Sequence, residues 1–246
     1  MSKFTPLVAC GNCPIRHNAV CAQCDSDELA TLERLKSYKV YPAGARLSDA
    51  GMPLTHFSSI VEGCATMSKT LEDGRRQTVG LLLPSDFIGR PGRTTSAYDV
   101  ESLTEVKLCR FERVEFERLV QTTPHIANRL LTMTLDELDA ARDWSVVLGR
   151  LTAREKVAAF LVSLARRLAS VQGKRNAGSG VMIHLPLSRE AMADHLGLTL
   201  ETTSRQVSAL RRDGVIETSS NRDIRIPDFE RLAIEAGEDD DGGLIV

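Results

Sequence analysis

No stretch of the 246-residue chain reaches the roughly 18 uninterrupted apolar residues that a membrane span requires. The N-terminus carries Lys3 as its only charge before Ala9-Cys10-Gly11 and lacks the apolar core of a signal peptide. The expected location is therefore the cytoplasm, with no membrane partner. Neither a nucleophile-base constellation nor a glycine-rich phosphate loop is visible, so nothing points to an enzyme. Net charge is also scarce, at -2 for the whole chain, which taken as an average speaks against nucleic acid. That average conceals a segregation: residues 150–232 hold 14 Lys+Arg against 9 Asp+Glu, and residues 233–246 hold five acids and no base. The chain thus contains a basic module followed by an acidic tail.

What is present in quantity is apolar content, 42%, enough for two packed cores. There are six cysteines, and four of them fall within residues 10–24. In a reducing compartment such clustering asks for a metal or redox explanation rather than for disulfides.

The chain reads as an α+β protein in five parts. Residues 1–25 are Cys-rich and without periodicity, as if ordered by a ligand. Within 26–120, Leu29, Leu32 and Leu35 mark a short helix, and short β-prone stretches follow, separated by Pro/Gly turns at 42–44, 50–53, 72–74 and 91–92. Evenly spaced short strands imply a small barrel or sandwich. Asp73-Gly74 is suited to a tight hairpin turn between 65–70 and 77–82. Residues 121–150 contain a long helix with two neighbouring stripes. One runs through Ile126, Leu130, Met133, Glu137, Ala140, Trp144 and Val147; the other through Ala127, Leu131, Thr134, Leu138, Ala141, Ser145 and Leu148. Such a helix can bury one face on its own domain and offer the other to a second copy; the alternative is burial in a single core. Residues 151–232 form the basic module, with a helix over 151–170 and a loop over 173–180, and 233–246 form the acidic tail.

Inside that module, Ser188 is suited to cap a helix ended by Gly197, and Thr199 to cap a second helix running to about Asp213. On the second helix Glu201, Ser204, Arg205 and Ser208 share one face. Arginine can grip guanine bidentately, glutamate accepts from cytosine N4, and serine pairs with either kind of edge, so this face suits the major groove. Arg211 and Arg212 are better placed for phosphates. Segments 215–218 and 223–227 look like a two-stranded wing. The competing reading is an ordinary helical hairpin with an exposed Glu201–Arg205 pair.

Cys10 and Cys13 form a C-x2-C pair, seven residues separate Cys13 from Cys21, and Cys24 completes a second C-x2-C. Zinc modules usually separate their pairs by about 12 or more residues. An iron-sulfur cluster takes four thiolates, often one from distant sequence, for which Cys109 and Cys64 qualify equally. Spacing leaves both chemistries open.

With these elements in order, the chain resembles the fumarate and nitrate reductase regulators of the cyclic-AMP receptor superfamily, in their alphaproteobacterial oxygen-responsive branch. The resemblance rests on residues 10–21 (Cys-Gly-Asn-Cys-Pro-Ile-Arg-His-Asn-Ala-Val-Cys), 84–89 (Pro-Ser-Asp-Phe-Ile-Gly), Cys109 in its strand, and 196–205 (Leu-Gly-Leu-Thr-Leu-Glu-Thr-Thr-Ser-Arg). It implies a cyclic-nucleotide-binding-like β-roll, a long dimerisation helix and a C-terminal winged helix-turn-helix. It implies a [4Fe-4S] cluster on Cys10, Cys13, Cys21 and Cys109, with Cys24 close enough to stand in for Cys21. It implies that Glu201, Ser204 and Arg205 read a TTGAT-N4-ATCAA-like palindrome in double-stranded DNA, with Leu200 against a thymine methyl. Leu131, Leu138, Ala141 and Leu148 would line a homodimer seam.

Cyclic-nucleotide binders of the superfamily have a Glu after the Phe-Ile-Gly match and an Arg before a Ser-Ala pair. Here Arg90 and Thr95 stand at those places, so no cyclic nucleotide is expected. The implied function is an oxygen-sensing regulator of anaerobic genes whose cluster promotes dimerisation and DNA binding, with RNA polymerase as a further partner through the 71–78 hairpin. The alternative is a zinc-stabilised helix-turn-helix regulator answering a small ligand in the β-roll.

Overall fold

A computed structural model describes residues 9–171 and 180–238. Most of the expected 173–180 loop, and residues 239–246 of the expected tail, lie outside the described residues. The chain divides into two compact units, one up to Glu137 and one from Leu138.

The first unit opens with a 3-10 turn at Cys10–Asn12 and further turns up to Cys24, followed by α1 (Ser26–Leu35). Asp25 starts α1 sharply: its carboxylate accepts from the amides of Asp27 and Glu28, while Glu28 reaches back to the Asp25 amide. Eight strands follow: β1 (Ser37–Tyr41), β2 (Arg46–Ser48), β3 (His56–Glu62), β4 (Ala65–Thr70), β5 (Arg76–Leu82), β6 (Phe87–Ile88), β7 (Asp99–Ser102) and β8 (Val106–Glu112). They form two antiparallel four-stranded sheets, ordered β1-β8-β3-β6 and β2-β7-β4-β5. The connection between β4 and β5 closes tightly over 72–74, with the Leu71 amide donating to the Arg75 carbonyl at 2.8 Å and the Gly74 amide to the Leu71 carbonyl at 3.0 Å. Thr70 pairs with Arg76, and of the loop residues only Gly74 takes a positive φ, because Asp73 stays in the ordinary region.

Side chains alternate across a strand, and β3 is buried on both faces. Ile60 with Val106 and Leu108 of β8 meets Leu82 and Val100 of the other sheet. Phe57, Val61, Cys109 and Phe111 face the opposite way, against the Cys-rich turns, α1, α2 (Arg113–Thr122) and the start of α3 (Pro124–Arg150). The chain has few aromatics, yet Phe57, Phe87 and Phe111 all surround Phe116, with ring centroids 5.4–5.5 Å from it. Gly89 is required here: a Cβ would lie 2.4 Å from the Phe57 ring.

In the second unit α4 (Ala153–Val171) buries Val157, Phe160, Leu161 and Leu164. It is followed by β9 (Val181–His184), α5 (Arg189–Leu196), α6 (Leu200–Arg212), β10 (Glu217–Thr218), β11 (Asp223–Ile226) and α7 (Phe229–Glu235). The wing is a three-stranded sheet ordered β10-β11-β9, with one strand more than sequence suggests. Residues 233–238, read as the start of a tail, instead finish α7 and the turn after it. Glu235 accepts a bidentate bond from Arg154 at 2.7 and 2.9 Å, and Glu238 one from Arg166 at 2.8 and 2.7 Å. Among the described residues no helix is long and apolar enough to cross a membrane.

Candidate nucleic-acid interface and cysteine centre

The α5–α6 pair has the local chemistry of a helix-turn-helix. Ser188 caps α5 by accepting from the Ala191 amide at 3.1 Å, and Gly197 ends it in the left-handed conformation with φ of 61°. Thr199 then caps α6, accepting from the Thr202 amide at 3.2 Å. Thr203, Val207 and Leu210 turn inward, and Glu201, Arg205 and Ser208 are exposed, with Ser204 half-buried beside them. Leu200 is 44% exposed and joins this outward face. Bonds from its own backbone amide and from the Thr199 hydroxyl hold the Glu201 carboxyl below the usual carboxylate range. Among the described residues Glu201 and Arg205 form no ion pair with each other, so both remain available to a ligand.

In the first unit, Cys109 is the meeting point of the sulfurs. It lies mid-strand in β8, opposite Tyr38 of β1 and Ser59 of β3. Burial pushes its thiol well above the ordinary range, and the nearby sulfurs of Cys10, Cys13 and Cys21 push it further. The Cys10 and Cys24 thiols are pushed up to about 12, chiefly by burial, and Cys21 also rises. Cys24 is buried in the same apolar cluster, where the neighbouring Cys21 sulfur raises its thiol further. Cys64, the other distant candidate, is buried in the turn between β3 and β4, outside that cluster.

Three charged side chains that sequence reasoning missed shape this centre. Arg16 donates to the carbonyls of Cys21, Ala22 and Cys24, each at 2.7 Å, tying down the turn that carries both cysteines. Lys36, almost wholly buried, donates to Cys10 Sγ at 3.5 Å and to Glu33 at 2.8 Å. Glu33 in turn accepts from the Cys10 amide at 2.5 Å, and these bonds lower its carboxyl to about 2. No sequence pattern marks them, because each acts through a partner brought near by folding.

The sulfurs are close but not tightly packed. Among the described residues, the group of three His, Cys or carboxylate ligand atoms lying within 4.8 Å of one another is Asp25, Glu28 and His125, so no three sulfurs approach that closely. The Ser59 hydroxyl, buried on the Cys109 face of the sheet, has no hydrogen-bond partner among the described residues.

Comparison with known proteins matches two stretches of the chain. A cyclic nucleotide-binding domain model matches residues 38–123 and a Crp-like helix-turn-helix domain model matches 155–234. Transcriptional activator protein FnrL of Cereibacter sphaeroides is 57% identical over 242 residues, covering 98% of this chain and 97% of that protein. The chain belongs to the Crp/FNR family of transcription regulators. The nitrogen fixation regulation protein FixK of Bradyrhizobium diazoefficiens is 37% identical over 207 residues, spanning 84% of this chain and 85% of that one. Among solved structures, FixK2 from Bradyrhizobium japonicum superposes with a TM-score of 0.73 at 33% identity, covering 80% of this chain and 96% of that one. For this Crp/FNR regulator the β-roll, the long helix and the winged helix-turn-helix are thus the family architecture. α5 and α6 form its DNA-binding element, and its relatives are regulators rather than enzymes.

Proposed function

We propose that this regulator senses oxygen through a [4Fe-4S] cluster held by Cys10, Cys13, Cys21 and Cys109, and that the cluster promotes homodimerisation and operator binding. The observation that carries the reading is the gathering of the first three cysteines with Cys109, distant in sequence, in one packed cluster. Four thiols gathered together, Cys10 and Cys109 buried and Cys13 and Cys21 half-buried, can bind as thiolates side by side only where a metal centre takes up the charge. A closed tetrahedral zinc site, with Zn–S near 2.3 Å, holds its sulfurs roughly 3.8 Å apart. The seven residues between Cys13 and Cys21 are short for such a zinc module, which favours the larger iron-sulfur centre. The unpartnered Ser59 hydroxyl beside Cys109 fits it too, since a sulfur-rich centre gives that donor an acceptor. When bound, such a cluster supplies an oxygen-labile core that neighbouring side chains tune.

The chain's own residues supply the rest. Leu131, Leu135 and Leu138 of α3 are 43–60% exposed, and with Ala141 and half-buried Leu148 they offer a seam to a second copy. Leu135 was absent from both stripes read in the sequence. A dimer sets two α6 helices on the half-sites of a TTGAT-N4-ATCAA-like palindrome, read by Leu200, Glu201, Ser204 and Arg205. Contact with RNA polymerase falls to the 71–78 hairpin, where Leu71 is exposed. Cyclic nucleotides are not proposed as effectors, since Arg90 and Thr95 replace the acid and base that would bind one.

Purification under argon tests the reading. It expects brown protein containing iron and sulfide that bleaches in air. Colourless protein with stoichiometric zinc contradicts it.

A further inference from the structure

We infer that Arg129 is the positioning residue through which the order of the Cys13–Cys21 loop reaches the dimer-forming helix. The inference rests on the cluster reading above. Arg129 sits in the second turn of α3. It donates from Nη2 to the Asn18 carbonyl at 2.5 Å and from Nε to the Ala19 carbonyl at 3.4 Å. Both carbonyls belong to the seven-residue stretch whose two ends are proposed ligands.

The grip is specific to the shape of that stretch. Asn18 and Ala19 are held in a tight turn, their amides donating to the Ile15 carbonyl at 3.1 and 2.9 Å. That turn leaves two successive carbonyls within the span of one guanidinium. The guanidinium fork has fixed donor directions, so it binds both carbonyls only while the turn persists. A loop released from its thiolate anchors disperses them. Apolar packing beneath is less discriminating: Ile126, Leu130 and Met133 bury against the cluster that contains Ala19 and Val20, and a slack loop still supplies apolar atoms. A second tie runs from α3 to α1, where His125 Nδ1 lies 2.9 Å from the Glu28 carboxylate.

The opposite face of the same helix carries the exposed leucines. Residues 129 and 131 differ by roughly 200° around an α-helix. α3 is therefore gripped on one side by the loop and presents Leu131, Leu135 and Leu138 on the other. Fixing the first side holds the second in a defined orientation, which is what pairing two helices along a narrow apolar seam requires.

The test uses the full chain prepared under argon, unsubstituted and as Arg129→Ala and Arg129→Lys. Iron, sulfide and visible spectrum are read beside the dimer dissociation constant from sedimentation, before and after exposure to air. Arg129→Ala is expected to retain the iron, sulfide and spectrum of the unsubstituted protein. Its dimer under argon is expected to weaken at least about fivefold, the lower end of ordinary coupling between sites, approaching the air-exposed value. Arg129→Lys, which keeps one donor group, is expected to restore part of the loss. A cluster-loaded Arg129→Ala protein that dimerises normally under argon and responds fully to air overturns this inference alone. So does an Arg129→Ala protein that loses its iron, because the residue then holds the centre rather than relaying its state. Absence of iron and sulfide from the unsubstituted protein overturns the cluster reading itself.

Discussion

At the scale of single residues, the centre depends on which strand position carries a sulfur and on which face. β8 lies between β1 and β3, in the sheet whose outer face the Cys-rich turns cover, and Cys109 shares that face with Phe111. Leu108, one residue away, points into the space between the sheets. A one-residue slip would bury the sulfur where no other cysteine can reach it. Cys109→Ala is therefore expected to abolish iron incorporation under argon, whereas Cys24→Ala retains it; iron and sulfide assays check both. The C-x2-C-x7-C run was plain in the sequence. That the N-terminal cysteines would gather at Cys109 and not at Cys64 was not, because both lie near strands and alternation does not say which face the N-terminal turns will cover. Arg16, Glu33 and Lys36 were likewise invisible, since their roles come from carbonyls, an amide and a sulfur that only folding brings near.

At the scale of elements, α6 was legible because local chemistry dictates it: a capping threonine, a turn glycine and an inward stripe of period 3.6. Arg205→Ala is expected to weaken operator binding by about 1–3 kcal/mol if the guanidinium reads one base pair, with discrimination relaxed at that pair; a titration on matched and mismatched duplexes measures it. α7 and β9 escaped sequence reading for the opposite reason. β9 finds its partner β11 across an intervening pair of helices, and α7 is too short to show periodicity. Two acids assigned to the tail, Glu235 and Glu238, are committed: Glu238 bonds Arg166, and Glu235 shares the guanidinium of Arg154 with Asp213 at the end of α6, which holds the Glu235 and Asp213 carboxyls below their ordinary range. Carboxyls depressed in the folded state stabilise it above their unfolded values, and that contribution is lost as pH falls through the depressed ones. The second unit is thus expected to lose thermal stability on acidification below roughly pH 4, and Arg154→Ala to flatten part of that loss. Thermal unfolding followed across pH for both proteins checks it.

At the scale of the whole molecule, α3 carries the functional argument, because it belongs at one end to the sensory core and exposes leucines along another face. Its two stripes were readable from spacing, but which one stays exposed depends on how the Cys-rich turns cover Ile126, Leu130 and Met133. Leu138→Glu places a charge on the exposed stripe, so two copies would bring like charges together. It is expected to shift the protein to monomer by sedimentation and to reduce operator affinity at least about tenfold, while iron content stays unchanged.

The central claim is that an oxygen-labile centre on four cysteines governs subunit pairing and thereby grip on DNA. The most direct test is one preparation, made under argon, whose dimer fraction and affinity for the TTGAT palindrome are measured before and after air destroys its visible absorbance. Pairing and affinity are expected to fall together as the absorbance disappears. Unchanged pairing and affinity after the absorbance is gone would contradict it.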